Sequence, residues 1–146
     1  MLPSFAPDGN LPPGIHSISW AAFAQHFGSN LHRQKLLKGL LAAARALRAA
    51  GCQTLYVDGS FVTTKSFPND FDACWDIVGV DPTLLDPVFL DFKHGRRAQK
   101  AKFYGELFVA QGLEGKSGLI FLDFFQIDKS TGARKGIVAL ELRSLP

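Results

Sequence analysis

The stretch VDGSFVTTKSFPNDFDACWD, Val57 to Asp76, sets a Gly-Ser pair at the end of an apolar run and two aspartates, one residue apart, shortly after it. On a strand, residues i and i+2 share a face, so Asp70 and Asp72 are expected to project together while Phe71 and Ala73 turn to the core. Neighbouring carboxylates repel each other unless a cation lies between them. Mg²⁺ suits the pair, because it takes one or two protein carboxylates and completes its octahedron with water and substrate phosphates. Gly59 lets the backbone approach a phosphate closely, and the Ser60 hydroxyl with its neighbouring amides can bond the anion. The competing reading is structural: Gly59-Ser60 and Asn69-Asp70 are both pairs that turns prefer.

The distribution of charge bears on the choice. Between Gly9 and Val57 there is no acid, while Arg33, Lys35, Lys38, Arg45 and Arg48 are present. From Asp58 to Asp91 seven aspartates face one lysine, Lys65, and the run Lys93, Arg96, Arg97, Lys100, Lys102 follows before Glu106. An acidic centre between two basic segments suits a metal site serving a polyanion; solvated helix faces are the plainer account of the basic runs.

These residues need a scaffold, and 146 residues with 47% apolar and 20% charged content suffice for one globular domain spanning residues 1–146. No apolar run approaches the roughly 18 residues of a membrane span, and the opening MLPSFAPDGNLPPG lacks the layout of a signal peptide. A cytoplasmic location is therefore expected. Cys52 and Cys74 are too few and too far apart for a disulfide framework or a zinc site, and read as reduced thiols.

The spacing predicts an irregular N-terminal arm with a short helix over residues 1–29, Ser19 capping Trp20, Phe23 and Phe27, and Gly28 stopping them. Asn30 should cap a longer helix through Leu36, Leu37, Leu40, Leu41, Ala44 and Leu47, ending at Gly51. TLYVD, Thr54 to Asp58, reads as a first strand and Phe71 to Val80 as a second. A basic helix is expected from Leu90 to Ala110. GLIFLDFFQI, Gly118 to Ile127, gives the strongest strand signal, joined by the turn DKSTG to a final strand from Lys135 to Leu142. The class is α/β in the α+β sense: a mixed sheet packed against helices.

Strand, Gly-Ser, nine residues, Asp-x-Asp, second strand resembles the minimal nucleotidyltransferase fold of the DNA polymerase beta superfamily. The LPPGIH arm, DGSFVTTK loop, PNDFD pair, FFQID strand and KGI segment are also similar to a family of small bacterial nucleotidyltransferase-like proteins. The resemblance implies that Gly59 and Ser60 hold a triphosphate, that Asp70 and Asp72 bind Mg²⁺, and that a third carboxylate on a neighbouring strand completes a catalytic and metal-binding set. Asp123 is the choice for that third group, because an aspartate in mid-strand is costly unless paired or liganding; a solvent-facing edge position is the alternative. Asp76, four residues past Asp72, lies about 13 Å along an extended strand, too far to share an ion. Where many members carry an arginine after Gly-Ser, this chain has Phe61 to Thr64, and Lys65 is the substitute.

The implied activity is Mg²⁺-dependent transfer of a nucleoside monophosphate from a nucleoside triphosphate to an acceptor hydroxyl on tRNA, other RNA or a protein, with a toxin-antitoxin or defence system as a setting that the resemblance implies. Arg33, Lys35, Lys38, Arg96, Arg97 and Lys100 would contact RNA phosphates. The alternative is a non-catalytic binding module or an antitoxin-type protein partner, part of whose 13 phenylalanines line an interface.

Overall fold

The computed structural model describes residues 2–146, so Met1, where the expected arm begins, lies outside the described residues. The arm runs without regular structure to Pro13 and then forms a strand, β1 (Gly14–Ile18), where none was expected. It follows Pro12-Pro13 directly and pairs along one edge only, as an element entered from prolines must.

Two helices follow as the sequence predicts. In α1 (Trp20–Phe27) the Ser19 hydroxyl accepts from the Ala22 amide, and the Gly28 amide closes the last turn on Ala24. In α2 (Leu31–Ala49) Asn30 accepts from the Arg33 amide at 2.8 Å. Leu36, Leu37, Leu40, Ala43, Ala44 and Leu47 make its buried stripe. Gly39 sits in that stripe because a Cβ there would lie 1.8 Å from the Phe103 carbonyl oxygen.

The remaining strands are β2 (Thr54–Asp58), β3 (Phe71–Trp75), β4 (Gly105–Val109) and β5 (Gly136–Glu141). Among the described residues they form one mixed sheet in the order β1-β5-β2-β3-β4. Antiparallel pairing joins β2 to β3 and to β5; parallel pairing joins β3 to β4 and β1 to β5. This is an α+β fold. One sheet face, with Leu55, Val57, Ala73, Leu107, Val138 and Leu140, packs on the helices. The other carries Cys74, Tyr56 and Phe108 beneath the segment that holds Phe121, Phe124 and Phe125. No helix among the described residues is long and apolar enough to cross a membrane.

Four expectations are corrected. The second strand ends at Trp75 rather than Val80, and the following residues form a turn whose Asp81 amide bonds Ala50. The basic segment is not one helix to Ala110: α3 (Lys93–Phe103) stops where Tyr104 takes a left-handed conformation, φ 65°, and β4 begins at Gly105. A Cβ on Gly105 would meet the Phe71 ring at 2.6 Å, so this crossing requires glycine. Most consequentially, GLIFLDFFQI is not a strand. It holds a single helical turn, α4 (Phe121–Phe124), bracketed by the lone bridges Leu113–Ile120 and Ile127–Arg134. Phe121, Phe124 and Phe125 stand at helical spacing i, i+3, i+4; Phe121 and Phe125 pack on Phe108, and Phe124 packs on those two. A short, continuously apolar run carries no periodicity that separates strand from buried helical turn. The DKSTG turn forms, with the Asp128 amide bonding the Ala133 carbonyl, but β5 pairs with β1 and β2 and not with the segment before the turn.

Candidate active site

Strand register assembles the site. Asp58 on β2 pairs with Asp72 on β3, and Asp72 pairs with Glu106 on β4, so three carboxylates stand in a row across adjacent strands. Asp70 enters from two residues before Asp72, as the i, i+2 argument requires. Oxygens of Asp70, Asp72 and Glu106 all lie within 4.8 Å of one another.

The electrostatics follow from this crowding. Burial, then Asp70 and Glu106, push the Asp72 carboxyl up to about 7. Burial and Glu106 raise Asp70, while Lys100 and Lys65 pull it down. Asp58 is 1% exposed and is driven well above the usual carboxylate range by burial and by Asp72. Its Oδ2 is buried without a hydrogen-bond partner. Lys100 reaches Glu106 at 3.2 Å, and Lys129 and Lys135 act on Asp72 from farther off. Four carboxylates share a small volume that these cations do not neutralise.

The Gly-Ser pair opens a 3₁₀ turn, Gly59–Val62, directly after β2. Gly59 has φ +73°, and a Cβ there would lie 2.6 Å from Asp72 Oδ2. Glycine is thus required twice over, by backbone conformation and by contact with the carboxylate. The Ser60 carbonyl accepts from the Thr63 hydroxyl at 2.7 Å, tying the turn back on itself. Arg33, buried under this loop, donates to the carbonyls of Phe27, Phe61, Thr63 and Lys65, and its guanidinium stands 5.0 Å from the centre of the Phe61 ring. It organises the loop and is not exposed to RNA, which corrects its assignment as a phosphate contact. Lys35, Lys38, Arg97 and Lys100 are exposed.

Asp123 does not join the cluster. With the strand replaced by α4 it occupies an exposed position on a helical turn, where its charge costs nothing to solvate. Glu106, which falls within the helix expected from Leu90 to Ala110, is the third carboxylate that the sheet supplies. Its signal lay in GELFV, a glycine followed by a short run ending in the β-favouring Phe108 and Val109. A cavity of about 400 Å³ opens over the cluster. Asp70, Asp72 and Glu106 line one part of it, Phe121 and Phe124 another. Arg96 and Lys129 also line it. The Arg96 guanidinium is sandwiched 3.8 Å from the Phe108 ring centre and 4.7 Å from that of Phe92, while its Nε donates to the Leu107 carbonyl.

Sheet and cluster together define a class: an α+β protein with an all-oxygen acidic group on one sheet face beside a glycine turn. Residues 3–141 match DUF6932, described as a family of unknown function, and the chain belongs to that family. No curated protein and no solved structure matches it.

Proposed function

We propose that this protein is a divalent-metal-dependent nucleotidyltransferase with Asp70, Asp72 and Glu106 as its metal ligands. The observation that carries the reading is the convergence of these three carboxylates within 4.8 Å, against a turn whose glycine contacts one of them. The donors are all oxygen, their mutual repulsion lacks sufficient protein countercharge, and a fourth acid with an unpartnered oxygen stands behind them. Such a set fits a hard cation, Mg²⁺ above all. When bound, that ion supplies neutralisation of phosphate charge and acidifies a coordinated hydroxyl.

The chain's own groups do the rest. Gly59 and Ser60 offer backbone and hydroxyl contacts to a phosphate beside the carboxylates. Arg96 and Lys129 stand in the cavity as cations for the remaining phosphate charge. The transfer itself joins an acceptor hydroxyl oxygen to the α-phosphorus, breaks the bond to the departing pyrophosphate and releases the hydroxyl proton, for which Glu106, held by Lys100, is the receiving carboxylate. The exposed Lys35, Lys38, Arg97 and Lys100 suit an RNA acceptor. Two unpaired thiols, Cys52 and Cys74, fit a cytoplasmic setting.

Protein incubated with labelled nucleoside triphosphates, Mg²⁺ and total RNA should transfer label to an acceptor, and Glu106→Gln should cut that transfer by about 10²- to 10⁴-fold. Binding of triphosphate with equal affinity in EDTA and in Mg²⁺, without label transfer, would replace the enzyme with a binding module.

A further inference from the structure

The cavity beside the carboxylates has a wall that metal and phosphate binding leaves unused. Phe108, Phe121 and Phe125 interlock, with ring centres 4.7 to 5.8 Å apart, and are anchored on the sheet. Phe124 sits at the margin of this group, half-buried, nearly perpendicular to Phe121 at 6.5 Å. The Lys129 ammonium stands 6.0 Å from its ring centre. The lining thus combines the carboxylates of Asp70, Asp72, Glu106 and Glu114 with the cations of Arg96 and Lys129 and an aromatic surface. A ligand matching that combination carries a metal-binding polyphosphate and a flat π-system.

We propose that Phe124, flanked by Lys129, is the platform on which the base of a nucleoside triphosphate stacks. This inference rests on the nucleotidyltransferase reading and names the residue that holds the substrate's base. Stacking on an aromatic ring accepts any base, because each has a π-face. An ammonium beside the stack adds attraction for the ring carbonyls and nitrogens of the base and for the phosphates. Arg96, gripped between two rings, cannot follow a moving ligand and is placed to meet phosphate oxygens. The platform lies in GLIFLDFFQI, where Phe124 stays half-buried beside the fully packed Phe125.

The test is calorimetric titration of the full chain in Mg²⁺ with two probes, ATP and inorganic triphosphate. Phe124→Ala is expected to weaken ATP binding by about 10- to 100-fold, the range for losing one base-aromatic stack, and to leave inorganic triphosphate binding unchanged. Phe124→Trp should hold or tighten ATP and likewise leave triphosphate alone, and it carries the test if the alanine variant does not fold. If both probes bind wild type equally and neither substitution discriminates between them, the base platform is refuted while the metal and phosphate site stands. Failure of both probes to bind wild type in Mg²⁺ would overturn the nucleotidyltransferase reading and the platform together.

Discussion

Asp72→Asn removes charge from the centre of the acidic row while keeping the side chain's shape. In the fold Asp72 titrates near pH 7, against 3.8 for an ordinary aspartate. Each factor of ten in proton affinity is worth about 1.4 kcal/mol, so ionising Asp72 costs the metal-free fold on the order of 4 kcal/mol, an upper bound because its surroundings relax. The sign follows from linkage. The folded carboxyl holds its proton through a range in which the unfolded chain has already lost it, so stability is greatest below about pH 3.8 as far as this group is concerned. It falls as pH rises from there to about 7, and levels off above. Urea unfolding in EDTA at pH 4, 6 and 8 should show Asp72→Asn more stable than wild type by about 1 to 4 kcal/mol at pH 8, with the gap closing toward pH 4. Adding Mg²⁺ at pH 8 should raise wild type far more than the variant, because the ion binds only a charged cluster. A variant less stable than wild type at pH 8, or a gap independent of pH, would refute the argument that the carboxylate is a strained charge awaiting a cation.

Three further outcomes are expected. Gly59→Ala sets a Cβ against Asp72 Oδ2 at a positive φ; it should cost about 1 to 3 kcal/mol in thermal or urea unfolding and weaken Mg²⁺-dependent triphosphate binding. Glu106→Gln should cut turnover by about 10²- to 10⁴-fold, while Asp123→Asn, exposed on α4, should leave it unchanged in the same label-transfer assay. Replacing Lys35 and Lys38 with glutamine should lower RNA affinity and flatten its salt dependence by about one to two in log-log slope, without altering ATP binding in calorimetry.

Local signals carried the first two helices and half of the site. Caps at Ser19 and Asn30, the leucine stripe of α2 and the glycine after β2 are decided within a few residues of chain, so they could be read directly. Asp70 and Asp72 needed only the two-residue period of a strand. Glu106 needed more: a left-handed Tyr104, a glycine pressed on the Phe71 ring, and a parallel pairing with β3. Each of these is decided by partners distant in the chain. The parallel edge is also closed by side chains, since Gln99 accepts from the Leu107 amide and Arg96 donates to its carbonyl, so no further strand is needed there. Asp123 was misplaced for the complementary reason, a uniformly apolar run that fits strand and helical turn equally until Phe108 selects between them. Arg33 reads as one more exposed cation in a basic helix, and only the fold reveals the carbonyls that surround it.

Arg33 also sets the tempo of the site. Four of its five hydrogen bonds fasten the peptide groups that follow Ser60, and the fifth holds the Phe27 carbonyl at the end of α1, so the loop is ordered during folding and has no slack to take up when an anion arrives. Encounter with triphosphate should therefore be a single collision-limited step. In stopped-flow mixing the observed rate should climb in proportion to ligand concentration, with one exponential throughout. A rate that reaches a ceiling would mean that the cradle opens and closes, and that the guanidinium releases its carbonyls on the timescale of binding.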